Sequence, residues 1–62
     1  MTKQEIVNEL KVLAEKMKEI GTLMDYFGGF DSEMAEHGAE LVGAGCVAEQ
    51  WAKEIEQEAG ND

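Results

Sequence analysis

The chain has 62 residues, of which 44 % are apolar; it carries fourteen acidic against five basic side chains, for a formal charge of −9, and has no proline. One small domain is the most that fits, and at this size only about 60 % of the unfolded surface is buried on folding. A single cysteine excludes an internal disulfide and, alone, a zinc site. The excess of acid excludes binding nucleic acid through its phosphates, which needs clustered Lys and Arg. Without the usual staples of a small domain, self-association is the expected source of further burial.

The first helix is predicted over about residues 3–27. Thr2-Lys3-Gln4-Glu5 reads as a capping box, in which the Thr2 hydroxyl accepts from the Glu5 amide and Glu5 reaches back. Apolar residues then fall at Ile6, Leu10, Leu13, Met17, Ile20, Met24 and Phe27, in steps of 4, 3, 4, 3, 4 and 3. That is a heptad seam, and it is the strongest pattern in the chain. Val7, Ala14 and Gly21 run beside it at the same seven-residue spacing and widen the stripe with small side chains. Charges sit every few residues from Met1 to Leu13, so no signal peptide is expected there. No run approaches the ~18 apolar residues of a membrane span. With its lone thiol, the chain is expected in a reducing cytoplasm.

The turn is predicted at 28–31. Gly28 and Gly29 are expected to supply the positive φ of a helix C-terminus. Asp31 is expected to cap the next helix, with Phe30 and Ala35 placed for a hydrophobic staple. Three of the four aromatic residues, Tyr26, Phe27 and Phe30, bracket this turn. They suit either a plug for the open end of the hairpin core or a recognition patch at its tip.

The second helix is predicted over about 32–58. Its apolar and small residues fill a sector of roughly 240° at 100° per residue, whereas one neighbouring helix covers about 100°. It is therefore expected to touch more than one helix, with Gly38, Leu41, Gly45, Ala48, Trp51, Ala52 and Ile55 at a subunit interface. Glycines inside a helix cost about 1 kcal/mol each against alanine, and close backbone packing is the expected compensation. The fold class is thus all-α: an antiparallel two-helix hairpin, a single domain spanning 1–62, assembling as a homo-oligomer into a helical bundle.

Charge is divided unevenly. Residues 1–25 hold four lysines against five acids, and residues 26–62 hold one lysine against nine. Glu54, Glu56 and Glu58 crowd a helix C-terminus, where the macrodipole disfavours anions, so local stability does not account for them. Either they keep the protein soluble, or they form an acidic surface for a basic partner. Glu36, Glu40, Glu54 and Glu58, which share the outer face of the second helix, are the candidate residues.

Chemistry is sparse. His37 has Glu33 four residues before it and Glu40 three after, a conceivable metal half-site. The glutamate–histidine order of di-iron bundles is reversed, and the first helix puts no acid in its seam, so the reading is a boundary histidine bonded to a glutamate, with no metal and no cofactor. Cys46 reads as a buried structural thiol beside Ala35, Ala39 and Val42. Glu49 falls inside the apolar sector; it either reaches solvent beside Lys53 and Glu56 or pairs with a lysine of another subunit. Trp51 is expected in the core or an interface. No nucleophile–base–acid set and no phosphate loop is visible, so the chain is read as non-enzymatic.

A heptad-patterned first helix, a short turn, then Ala39-Glu40-Leu41-Val42-Gly43-Ala44-Gly45-Cys46-Val47-Ala48 leading to Trp51 resembles short phage-encoded α-hairpin proteins of the anti-defence type. The resemblance is one of pattern and spans about residues 10–55. It implies a self-assembling, non-enzymatic binder. One such group, the anti-CBASS sponges, sequesters cyclic oligonucleotides between subunits, which makes a pocket of Gly38, Gly45, Cys46 and Trp51 a second expectation. This sequence lacks the arginines and lysines expected around a phosphate ligand. Other phage inhibitors are small acidic proteins that occupy nucleic-acid-binding grooves, and the acidic half of this chain suits that mode better. A structural adaptor of a phage or bacterial assembly is the third reading.

Overall fold

A computed structural model of the chain describes residues 1–29 and 32–60, with the side chains of 59–60 left out. Two helices, α1 (Lys3–Phe27) and α2 (Ser32–Gly60), pack against each other as a hairpin. The molecule measures 50 × 15 × 12 Å. The boundaries follow the predicted ones, with α2 running two residues further. No described helix is long and apolar enough to cross a membrane.

The start of α1 is the predicted capping box. The Thr2 hydroxyl accepts from the Glu5 amide at 3.1 Å, and the Thr2 amide donates to the Glu5 carboxylate at 3.4 Å. Two amides that the helix geometry leaves without intrahelical partners are thereby satisfied. The turn departs from expectation. Gly28 has φ −85° and ψ 13°, and no described glycine has a positive φ. Gly28 answers a steric need instead: a Cβ there would lie 2.8 Å from the Ala35 amide nitrogen, where the start of α2 crosses the end of α1. The expected Asp31 cap and Phe30 staple lie outside the described residues.

The two helices touch through their smallest side chains. On α1 the buried positions are Val7, Ala14 and Gly21, with Gly28 continuing the same seven-residue spacing past the helix end; on α2 they are Gly38, Gly45, Ala48 and Ala52. A Cβ added at Gly21 would meet the Gly38 carbonyl oxygen at 2.5 Å, and one added at Gly38 would meet the Gly21 oxygen at 2.6 Å. A Cβ at Gly45 would stand 3.0 Å from the Ala14 oxygen. Gly21 faces Gly38 and Ala14 faces Gly45, so the numbers fall on one helix as they rise on the other, as an antiparallel register requires. Backbone meets backbone along this line, which is what offsets the propensity cost of the glycines.

That close approach decides where the large side chains go. The predicted heptad seam of α1 does not lie between the helices. Leu10, Met17 and Met24 are half-buried at the edge of the contact, and Ile6, Leu13, Ile20 and Phe27 are exposed. A backbone in contact with its neighbour leaves no room for a Leu or an Ile between them. Among the described residues the buried apolar ones reduce to Val7, Ala14, Ala48 and Ala52.

Candidate interaction surfaces

The register divides the hairpin into a polar edge, an acidic outer face and an apolar face. On both helices, residues four positions after the small-residue stripe fall about 40° to one side of it, at 100° per residue. These are Lys11 and Lys18 on α1, and Glu49 and Glu56 on α2. They pair across the hairpin: Lys11 Nζ meets Glu56 Oε2 at 3.0 Å, and Lys18 Nζ meets Glu49 Oε2 at 2.6 Å. Glu15 at 3.4 Å from Lys18 and Lys53 at 3.5 Å from Glu49 extend the second pair into a short network.

The hydrogen bond from Lys18 and then its charge hold the Glu49 carboxyl below the usual glutamate range; partial burial pulls the other way, and Lys53 adds a smaller lowering. The hydrogen bond to Glu49 raises Lys18 above its usual value; partial desolvation opposes this and Glu15 reinforces it. Glu49 is therefore satisfied by a lysine of its own chain. The sequence does carry the signal: Lys11 and Lys18 are seven apart, as are Glu49 and Glu56. The antiparallel register pairs Lys11 with Glu56 and Lys18 with Glu49.

The acidic outer face lies on the side of α2 turned away from α1. Glu36, Glu40, Glu54 and Glu58 are all exposed, with Glu58 nearer the apolar edge. Among the described residues no ion pair engages Glu36, Glu54 or Glu58, while Lys11, Lys18 and Lys53 are committed to the polar edge. Glu40 lies 3.2 Å from His37 Nδ1, and Glu33 lies 3.9 Å from His37 Nε2. The structure thus brings Glu33, His37 and Glu40 together in the open; among the described residues no group of three or more metal-ligating side chains is arranged to hold an ion.

The apolar face lies opposite the polar edge. Residues one position before the stripe fall about 100° to that side on both helices. These are Ile6, Leu13, Ile20 and Phe27 on α1, and His37, Ala44 and Trp51 on α2, so that one exposed histidine stands in the row. Leu10, Met17 and Met24 stand between them and the contact line, with Leu41 and Ile55 doing the same on α2. At the turn end, Ile20, Leu23, Met24, Phe27 and Met34 line a shallow, open apolar groove of about 250 Å³.

Several expected sites are distributed differently. Of the seven residues expected at a subunit interface, Gly38, Gly45, Ala48 and Ala52 are buried against α1 within one chain, Leu41 and Ile55 are half-buried, and Trp51 is 56 % exposed. The small-residue sector of α2 is consumed inside the hairpin because only Gly and Ala permit that approach. For the pocket of Gly38, Gly45, Cys46 and Trp51, the two glycines are covered and the cysteine and tryptophan are at the surface. Cys46 is exposed, contrary to its reading as a buried thiol. It follows Gly45 by one residue and so turns about 100° away from α1, towards the polar edge. Tyr26 and Phe27 plug no core: they are 78 % and 70 % exposed and pack edge-to-face with ring centroids 5.0 Å apart. Phe30 lies outside the described residues. No protein-family model, curated protein or solved structure matches this chain.

Proposed function

We propose that the hairpin is a non-enzymatic binding protein that works as a homo-oligomer and engages a basic protein surface with the outer face of α2. The observation that carries this reading is the uncompensated outer face: Glu36, Glu54 and Glu58 are exposed and unpaired among the described residues, while three of the five lysines are tied to glutamates of the polar edge. A patch of one sign raises the association rate with a partner of opposite sign and rejects partners of its own. A protein groove that binds nucleic acid has the complementary charge. A small acidic oligomer would occupy such a groove and block it, the mode of some phage counter-defence proteins, acting in the cytoplasm. The partners are then a second copy of the chain and a basic protein, with neither nucleic acid nor membrane bound directly.

The test is competition. A cationic nucleic-acid-binding domain is loaded with fluorescent duplex DNA and titrated with the hairpin at low and high salt. Displacement at low salt that fades as salt rises supports the reading, as does its loss on reversing Glu36→Lys and Glu54→Lys with helicity kept. Equal displacement by wild type and double variant at low salt sinks it.

A further inference from the structure

The apolar face is too large to belong to a finished monomer. The chain exposes 4631 Å², whereas a compact folded protein of 6.8 kDa exposes about 3,950 Å². The excess of about 700 Å² compares with about 800 Å² per partner in an interface of standard size. Large side chains stand in this exposed surface: Leu13, Ile20, Phe27 and Trp51 are each 44–70 % exposed, while among the described residues the buried core is one valine and three alanines. Their α1 members, Leu13, Ile20 and Phe27, repeat every seven residues, and the half-buried Met17 and Met24 between them complete the 4-3 spacing by which one helix reads another. The lysine–glutamate pairs stand on the opposite edge, and on this face large apolar side chains predominate, with Lys3, His37 and Glu58 beside them.

The face is also self-complementary in shape. The register that sets Gly21 against Gly38 and Ala14 against Gly45 places the midpoint of the Ile6–Phe27 seam level with the Val42–Gly43 peptide. Met34 and Trp51 lie equally far either side of that level, roughly 13 Å at 1.5 Å per residue. One end of the face carries the exposed indole of Trp51, and the other carries the shallow, open groove lined by Ile20, Leu23, Met24, Phe27 and Met34. A two-fold axis through the midpoint, perpendicular to the helices, exchanges the two ends. That is the condition for an isologous contact, in which each copy supplies both the knob and the hole.

We propose that a second copy of this chain covers this face, with each Trp51 seated in the turn-end groove of its partner. The inference rests on the reading that the hairpin self-associates, and it names the surface: the seam of large residues led by α1, not the Gly/Ala stripe of α2. The dimer is then a four-helix bundle whose core lies between hairpins, and whose acidic faces point outwards on both sides.

The experiment uses the whole chain. Light scattering gives the mass, and quenching of the sole tryptophan by iodide reports whether Trp51 is covered. The expected result is a mass of two chains with Trp51 shielded, shifting on dilution to one chain with Trp51 open. Ile20→Asp, which puts a charge on the face without touching the Gly/Ala contact, is expected to weaken the dimer roughly a hundredfold. Should that variant lose its fold, Phe27→Ala decides: it removes one groove wall from a residue already 70 % exposed, and quenching is expected to rise several-fold at a concentration where wild type is shielded. A two-chain mass with Trp51 open, or quenching unmoved by Phe27→Ala, overturns the proposed face while self-association stands. A wild-type mass of one chain at every concentration overturns both.

Discussion

Two stripes run the length of α1, one residue apart, and they have opposite fates. Val7, Ala14 and Gly21 are buried; Ile6, Leu13, Ile20 and Phe27 are exposed. Hydrophobicity alone would have ranked them the other way. Size decides the matter, because α2 brings its own glycines to the line of contact and the two backbones close on each other. Small residues then determine which helix is nearest, and large residues are held back for whatever covers the flank. Burial follows the closest geometry available, and the most apolar stripe comes second when a smaller one permits tighter packing.

The sharpest way to break this comparison is to enlarge the small stripe. A Cβ at Gly38 would sit 2.6 Å from the Gly21 oxygen and 2.9 Å from the Asp25 nitrogen, both backbone atoms that do not yield. Gly38→Val is expected to cost about 3 kcal/mol or more through overpacking, enough to unfold so small a domain. Loss of helicity by circular dichroism at room temperature is the expected readout, and a melting temperature like wild type's would show that the helices are further apart than described. Gly43 is the matched control. It is an exposed helical glycine with nothing within 4 Å of an added Cβ, so Gly43→Ala should gain about 1 kcal/mol from helix propensity alone. A loss at Gly43 would place a neighbour on the outer face of α2.

Smaller effects sharpen the picture at the edges. Thr2→Ala removes the cap of α1 and should cost about 1 kcal/mol in a thermal or urea melt; Thr2→Ser should restore most of it. The Lys18–Glu49 pair gives the weakest but most diagnostic signal. The lowered Glu49 carboxyl contributes fully above the usual glutamate range, and its contribution is lost as pH falls through the lowered folded value. The raised Lys18 amine contributes fully below the usual lysine range, and its share is lost as pH rises through the raised folded value. The melting-temperature gap between wild type and Glu49→Gln should therefore be widest around neutral pH, close towards strong acid and shrink in added salt. A gap independent of pH would mean that Glu49 acts through packing, not charge.

Much of the architecture was legible in the residues. The capping box, the glycine break at 28–29 and the 3.5-residue period mark two helices and their turn to within two residues. The outer placement of Glu36, Glu40 and Glu54 follows from counting 100° per residue. The heptad pattern of α1 does not say which of its two adjacent stripes faces α2, because that depends on the glycines α2 brings to the contact. Cys46 lies in the wide apolar sector of α2 yet is exposed, because one helix covers only the part of that sector centred on Gly38 and Gly45. The aromatic residues at the turn gave no means of distinguishing a plug from an exposed tip, because that depends on how closely the helices converge above them.

The sequence by itself determined the local structure, since helix start, helix period and helix break depend on residues a few positions apart. It also determined that the excess acid lies in the second half of the chain. Only the tertiary structure decided which stripe is inside, because that depends on how near two backbones can come, and it is the pairing of a glycine on one helix with a glycine on the other that brings them into contact. The same pairing fixes the register, and the register places Lys11 and Lys18 opposite Glu56 and Glu49 on one edge while leaving Ile6, Leu13, Ile20, Phe27 and Trp51 together on the other.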